Sequence, residues 1–201
     1  MVRPTKHRFL PFLPIGMLLI FLLYGCAGIR FVQVAPEAQD FHPRSVAILA
    51  LDMGGHEEAR EVLDRIVTAE LTAKKWFDPV VSAEALQSLL RKNEDLRKSV
   101  ADYLGKLKAV NFSDSDLSRK IGKLAKVDAF LLVNVDYWYY TKEADKNVAK
   151  VGLGMKMINA ETGVMVWKGG HDLAPEYMFL KPELASVARD VVKPMVRQLP
   201  H

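Results

Sequence analysis

Ala129-Phe130-Leu131-Leu132-Val133-Asn134-Val135-Asp136-Tyr137-Trp138-Tyr139-Tyr140 is the strongest strand signal in the chain. It holds no glycine or proline, and branched and aromatic residues dominate it. Lys142 to Asn147 is polar and makes a hairpin loop. From Val148 to Asn159, Val151, Leu153, Met155 and Met157 alternate with Lys150, Gly152, Gly154 and Lys156, the pattern of a strand with one buried face. Glu161-Thr162-Gly163 is a tight turn, and Val164 to Trp167 reads as a further strand. Links this short permit only an antiparallel meander.

Working back toward the N-terminus, Ser45 to Asp52 is a continuous apolar run, as expected of a strand buried on both faces. Met53-Gly54-Gly55 turns the chain, and Glu57 to Lys75 reads as a helix with Ala59, Val62, Leu63, Ile66, Val67 and Ala73 on one stripe. Phe77 to Val81 is a short strand. Ser82 caps a helix carrying Leu86, Leu89 and Leu90, and its period resumes through Leu107 after a break near Asn93. Ser113-Asp114-Ser115-Asp116 resembles a capping box before Leu117, Ile121 and Leu124. Asp172 to Lys181 reads as loop. Pro182 suits the first turn of a last helix, which Pro194 should kink or end early.

The order is β-α-β-α-α-β-β-β-α. A buried strand followed by a helix implies a parallel crossover. The expected fold class is α/β: a single mixed sheet of about five strands, the parallel crossover first and the antiparallel meander last, with packed helices. Residues 44–200 form one domain by length. Residues 26–43 read as a short tether, although Ile29 to Val34 has the composition of an edge strand.

The first 25 residues have another purpose. Arg3, Lys6 and Arg8 precede an uncharged stretch from Phe9 to Tyr24, and small residues flank Cys26, the only cysteine. That is the order of a secretory signal peptide. Pro11 and Pro14 leave the apolar run short of the roughly 20 residues a spanning helix needs. Leu23-Tyr24-Gly25-Cys26 looks like the lipobox of bacterial lipoproteins. The resemblance implies cleavage before Cys26 and covalent lipid on it. Ala27 in place of aspartate implies outer-membrane sorting with the domain facing the periplasm. Removing residues 1–25 takes three of the 28 Lys+Arg and none of the 24 Asp+Glu, so the mature chain is almost neutral. Its basic pI therefore gives no support for nucleic-acid binding.

Three further stretches resemble one group of bacterial envelope lipoproteins. They are Val46-Ala47-Ile48-Leu49-Ala50-Leu51, Lys126-Val127-Asp128-Ala129-Phe130-Leu131-Leu132 and Asn159-Ala160-Glu161-Thr162-Gly163-Val164-Met165-Val166-Trp167. The group shares a fold with the N-terminal domain of the Tol-system propeller protein. It includes curli-secretion pore lipoproteins, activators of penicillin-binding proteins, and lipoproteins of unknown function first noted as surface antigens. The resemblance spans roughly residues 44–170, and its motifs are structural, so they bear on fold more than on function.

Candidate sites are few. Gly54-Gly55-His56 lies at a strand-to-helix turn, where α/β proteins bind ligands, but it is neither a dinucleotide nor a P-loop motif. His171 at a strand end could join it. The mature histidines are scattered, His56-Glu57-Glu58 is not a zinc motif, and no metal is expected. No serine sits in a nucleophile elbow, so no enzyme is expected, and the covalent lipid is the only attached group. Tyr137-Trp138-Tyr139-Tyr140 is the least ordinary cluster. Tyr137 and Tyr139 lie on one face of the strand, Trp138 and Tyr140 on the other. Trp167 could join a docking patch with one pair. The expectation is a lipid-anchored, non-enzymatic subunit of an envelope assembly, with a protein partner or further copies of itself. The competing expectation is a periplasmic small-molecule or glycan-binding protein, extending to hydrolysis, that uses Gly54, Gly55, His56 and His171.

Overall fold

The computed structural model describes residues 29–111 and 113–201. Cys26 and residues 1–25, read above as a signal peptide, lie outside the described residues. Seven strands form one mixed sheet, β1 Phe31–Val34, β2 Val46–Asp52, β3 Val80–Val81, β4 Ala129–Glu143, β5 Lys146–Asn159, β6 Met165–Leu173 and β7 Glu176–Tyr177. Their order is β1-β6-β5-β4-β2-β3, and β7 pairs with β5. β2 runs parallel to both β3 and β4, while β4, β5 and β6 are the expected antiparallel meander.

Among the described residues, five α-helices cover the sheet: α1 Arg60–Lys74, α2 Ala83–Lys92, α3 Glu94–Val110, α4 Ser115–Ala125 and α5 Leu184–Val196. On one face, α1 and α5 enclose the larger core, built from Ile48, Leu131, Val133, Leu153, Met155 and their neighbours. On the other, α2, α3 and α4 enclose a smaller core around Leu49, Phe130, Tyr103 and Ile158. This second layer covers β2, the first half of β4 and the end of β5. Among the described residues, no helix lies on the far half of that face.

Polar residues fix the junctions. One carboxylate oxygen of Asp128 accepts from the backbone N–H groups of Arg44 and Ser45 and from the Ser45 hydroxyl, at 2.9–3.1 Å, tying the start of β4 to the start of β2. Asp64, buried on α1, accepts from the N–H groups of Ala83 and Glu84 at 2.9 and 3.0 Å and so caps α2 beside Ser82.

Several sequence expectations are corrected. Residues 31–34, read as tether, pair antiparallel with β6, and Pro36–Asp40 forms a 3-10 turn behind them. The sheet therefore begins at Phe31, five residues after Cys26 in sequence. The N-cap of α4 is Asp114, whose carboxylate accepts from Asp116 and Leu117 N–H. β6 runs on to Leu173 instead of stopping at Trp167, and β7 falls in a stretch read as loop. Helix α5 passes through Pro194 to Val196. Pro194 stands in the last turn, where the missing N–H removes one bond and no further turn has to follow.

Candidate functional site

The uncovered half of the sheet face is the distinctive surface. β4, β5, β6 and β1 build it, and a single irregularity selects its residues. The register of β4 against β5 shifts between Val135 and Tyr137, leaving Asp136 as a bulge. Without the bulge, the alternation that puts Phe130, Leu132 and Asn134 on this face would continue to Trp138 and Tyr140. With it, Tyr137 pairs with Gly152 and Tyr139 with Lys150 on the open side. Trp138 and Tyr140 turn into the larger core.

The floor of this surface is glycine. Gly170, Gly154 and Asn134 lie in one row across the strands, with Phe31 at its edge. A side chain on Gly152 would meet the Tyr137 ring at 2.5 Å, one on Gly154 the Asn134 amide at 2.4 Å, and one on Gly170 the Phe31 ring at 2.4 Å. These three glycines let Tyr137, Asn134 and Phe31 lie flat on the sheet.

Charge bridges the strands above that floor. The Arg30 guanidinium donates to Asp136 at 3.1 Å and pairs with Asp172 at 3.3 Å, joining β1, the β4 bulge and β6. It also lies 5.5 Å from the Phe31 ring centre, which Lys168 approaches to 5.6 Å. Asn134 donates to Asp136 at 2.7 Å. Lys150 stands 4.8 Å from the Tyr137 ring and pairs with Glu143 at 2.6 Å. Its hydrogen bond to Glu143 raises the Lys150 pKa, so the ammonium stays charged. Tyr137 and Tyr139 meet edge-on at 6.0 Å. The result is an open, half-polar aromatic surface with mixed charge, the composition of a protein contact face.

The sequence-nominated residues divide. Tyr137 and Tyr139 belong to this surface, and Tyr139 is 36% exposed. Trp138 and Trp167 are buried core residues, 7% and 1% exposed, and are withdrawn from any docking patch. Trp167 lies flat over Gly169 on the covered face, and its indole N–H is buried without a partner among the described residues. Tyr140 packs against the core and donates to the Pro182 carbonyl at 2.8 Å.

Gly54 and Gly55 take positive φ, +57° and +97°, and a Cβ on Gly54 would stand 2.6 Å from the Val135 carbonyl oxygen. The close approach to β4 accounts for Gly54, and the left-handed backbone alone accounts for Gly55. His56 leans toward Tyr139, with ring centres 6.3 Å apart. His171 pairs with Leu153 on the covered face and is 3% exposed, so the sheet separates it from Tyr139 and the open surface. Burial pushes its imidazole below the ordinary value of 6.5. The two histidines therefore do not converge as the small-molecule reading requires. Among the described residues no group of three His, Cys, Asp or Glu could hold a metal ion. A cleft between α1 and α2 presents Arg60, Arg65 and Arg91 beside Glu61, Asp64 and Glu84, but Asp64 is already committed to capping α2.

Sequence reading missed Phe31, Arg30, Asp136 and Lys168 as members of the open surface. The signal present was the G-x-G at 152–154 and the Gly169-Gly170 pair on neighbouring strands. Glycines stacked across a sheet mark places where something lies close to the backbone.

No family model and no curated protein matches the chain. Solved structures do. The PelC dodecamer from Paraburkholderia phytofirmans is 15% identical with a TM-score of 0.53, over 85% of this chain and 95% of that one. Lipoprotein GNA1162 from Neisseria meningitidis is 14% identical with a TM-score of 0.50, over 76% of this chain and 96% of that one. At such identity the likeness is one of fold. The fold anticipated from the three lipoprotein-like stretches is therefore the fold this chain has, and a solved lipoprotein shares it.

Proposed function

We propose that the chain is a lipid-anchored, non-enzymatic subunit of a bacterial envelope assembly, held by Cys26 in the outer membrane with its domain in the periplasm. It docks other proteins, further copies of itself included, through the open half of the sheet. The class of machinery is secretion, transport or cell-wall synthesis.

The observation that carries this reading is the uncovered surface of Phe31, Tyr137 and Tyr139 on a glycine floor. A sheet face normally gains its stability by being covered. Here helices cover one side as far as β6 and the other only halfway, and the bare half presents aromatic rings with polar handles and both signs of charge. Interfaces favour that composition. The dodecameric state of PelC supports self-association as one form of this docking.

Crosslinking in native membranes, followed by native mass spectrometry of the acylated protein, tests the reading. Either a single stoichiometric partner or a closed homo-oligomer is expected. Tyr139→Ser with Lys168→Glu should weaken it by about tenfold or more, as loss of central contacts does, without changing Tm. A monomer that crosslinks to nothing and carries a bound small molecule would reverse the conclusion.

A further inference from the structure

Met178, Phe179 and Leu180 are 83, 96 and 88% exposed. Single exposed apolar residues are ordinary, but three large ones in succession at a loop tip mark a contact. The base of the loop is braced. Tyr140 donates to the Pro182 carbonyl, stacks edge-on with Tyr177 at 6.1 Å, and receives Lys181 at 3.4 Å over its ring. The tip therefore projects from a fixed platform.

Strand register shows where it points. β7 pairs Tyr177 with Asn147 and runs toward the β4–β5 hairpin tip, so residues 178–180 lie at that end of the sheet. β1 runs the opposite way, with Phe31 opposite Gly170 and Gly170 opposite Gly154. The chain before β1 therefore leads toward the same end, and Arg30 marks the path by bridging Asp172 and Asp136. Along β5, the level of Asn147 lies seven residues beyond that of Gly154, about 23 Å at strand rise. Cys26 precedes Phe31 by five residues, a reach of at most about 17 Å. With strands along the membrane normal, the anchor cannot hold the bilayer surface as far away as the loop extends.

We propose that Met178-Phe179-Leu180 is a second membrane foot, inserted in the interfacial region of the leaflet that holds Cys26. This rests on the anchoring reading above and fixes what that reading leaves open, the orientation of the body. An interfacial segment buries its apolar residues only about 5–10 Å deep, which a loop tip can do without a spanning helix. Around it Lys142, Lys146, Lys150 and Lys181 stand against Glu143, Asp145, Glu176 and Glu183. The end is neutral, so insertion needs no anionic lipid.

Tryptophan quenching by phosphatidylcholine with brominated acyl chains tests the foot on the full acylated protein. The native indoles give a constant background that brominated chains do not reach, because Trp138 and Trp167 are buried and Trp76 stacks on His201 near the start of β2, at the opposite end, so the reporter is read as the difference from the parent chain. Phe179→Trp should add blue-shifted emission that loses most of its intensity in brominated vesicles. Emission that stays red and unquenched overturns the proposal. So does an indole that blue-shifts only in native membranes, since it assigns the triplet to a protein partner. In Met178→Ser/Phe179→Ser/Leu180→Ser the fold should persist, but vesicle binding should no longer slow amide exchange at the 142–146 hairpin. Equal protection with the parent chain overturns the foot. Intact mass of the same samples tests the anchor separately. A quenched indole on a chain with unmodified Cys26 rejects the acylation and supports the foot, while an unquenched indole on an acylated chain rejects the foot alone.

Discussion

Gly54 and Gly152 both stand where a Cβ would collide, yet what they would strike differs. At Gly54 the obstacle is the Val135 backbone carbonyl and φ is +57°. Neither can relax, so Gly54→Ala should cost roughly 2–5 kcal/mol from left-handed strain plus overpacking. At Gly152 the obstacle is the half-exposed ring of Tyr137. That ring can swing into solvent, so Gly152→Ala should cost about 1 kcal/mol or less, while lifting Tyr137 off the sheet and weakening partner capture. Urea melts of both variants beside a crosslinking yield check the pair. Equal stability losses would mean the glycine floor is structural only. His171 supplies a pH prediction. Its folded pKa lies below the unfolded 6.5, mainly through burial, with Asp172 opposing and Arg30 assisting. Below that value the unfolded chain binds more protons than the folded one, so stability falls as pH drops. Above it the contribution vanishes. His171→Gln should flatten the fall in Tm between about pH 7 and pH 5, and parallel curves for variant and parent would sink the assignment. At this scale the sequence was half legible. Alternation separates Tyr137 and Tyr139 from Trp138 and Tyr140, but a one-residue bulge at Asp136 decides which pair is buried, and periodicity carries no sign of it.

Among the elements, those with local signals are the ones the sequence reveals. Ser82 and Asn93 cap α2 and α3 where the pattern breaks, and the meander follows from short links. β1 and β7 escape because each is held from afar. β1 is four residues long and pairs with β6, and its neighbour Arg30 bonds Asp136, 106 positions away. Neither helical nor strand periodicity can be read over so few residues. Asp64 escapes for a related reason. On α1 it looks like a solvated charge, but it is 8% exposed and supplies both carboxylate oxygens to the first turn of α2. Asp64→Ala should therefore cost about 1–2 kcal/mol, the range of a lost cap, and raise amide exchange at Ala83 and Glu84 ahead of the rest of α2. Uniform exchange across α2 would argue against capping. Asp64→Asn should restore part of the loss, since the amide oxygen can accept one of the two bonds.

The whole molecule has a direction that its sheet sets. β1 starts midway along the sheet, level with Gly154, and runs away from the hairpin end to Ala35, whose N–H donates to the Val166 carbonyl near the opposite end. So long as β1 stays paired, the chain before Phe31 is directed toward the end that carries Met178-Phe179-Leu180. Were β1 released, the link to Cys26 would leave from Ala35 instead, and the apolar tip would no longer be turned toward the bilayer. On the proposed anchoring, four residues of edge pairing, the Arg30 bridge to Asp136 and Asp172, and the Phe31 ring over Gly170 would decide how the body stands. Exposed ion pairs are individually worth about 0–1 kcal/mol, so the two Arg30 bridges add little to the backbone pairing that holds the strand. Arg30→Glu with Phe31→Ala sets one carboxylate against two and removes the ring. Exchange at residues 31–34 should quicken, Tm should change little, and quenching of a Phe179→Trp reporter by brominated lipid should fall toward background. Fast exchange at β1 with quenching undiminished would show that the triplet finds the bilayer unaided, and that β1 does not orient the domain.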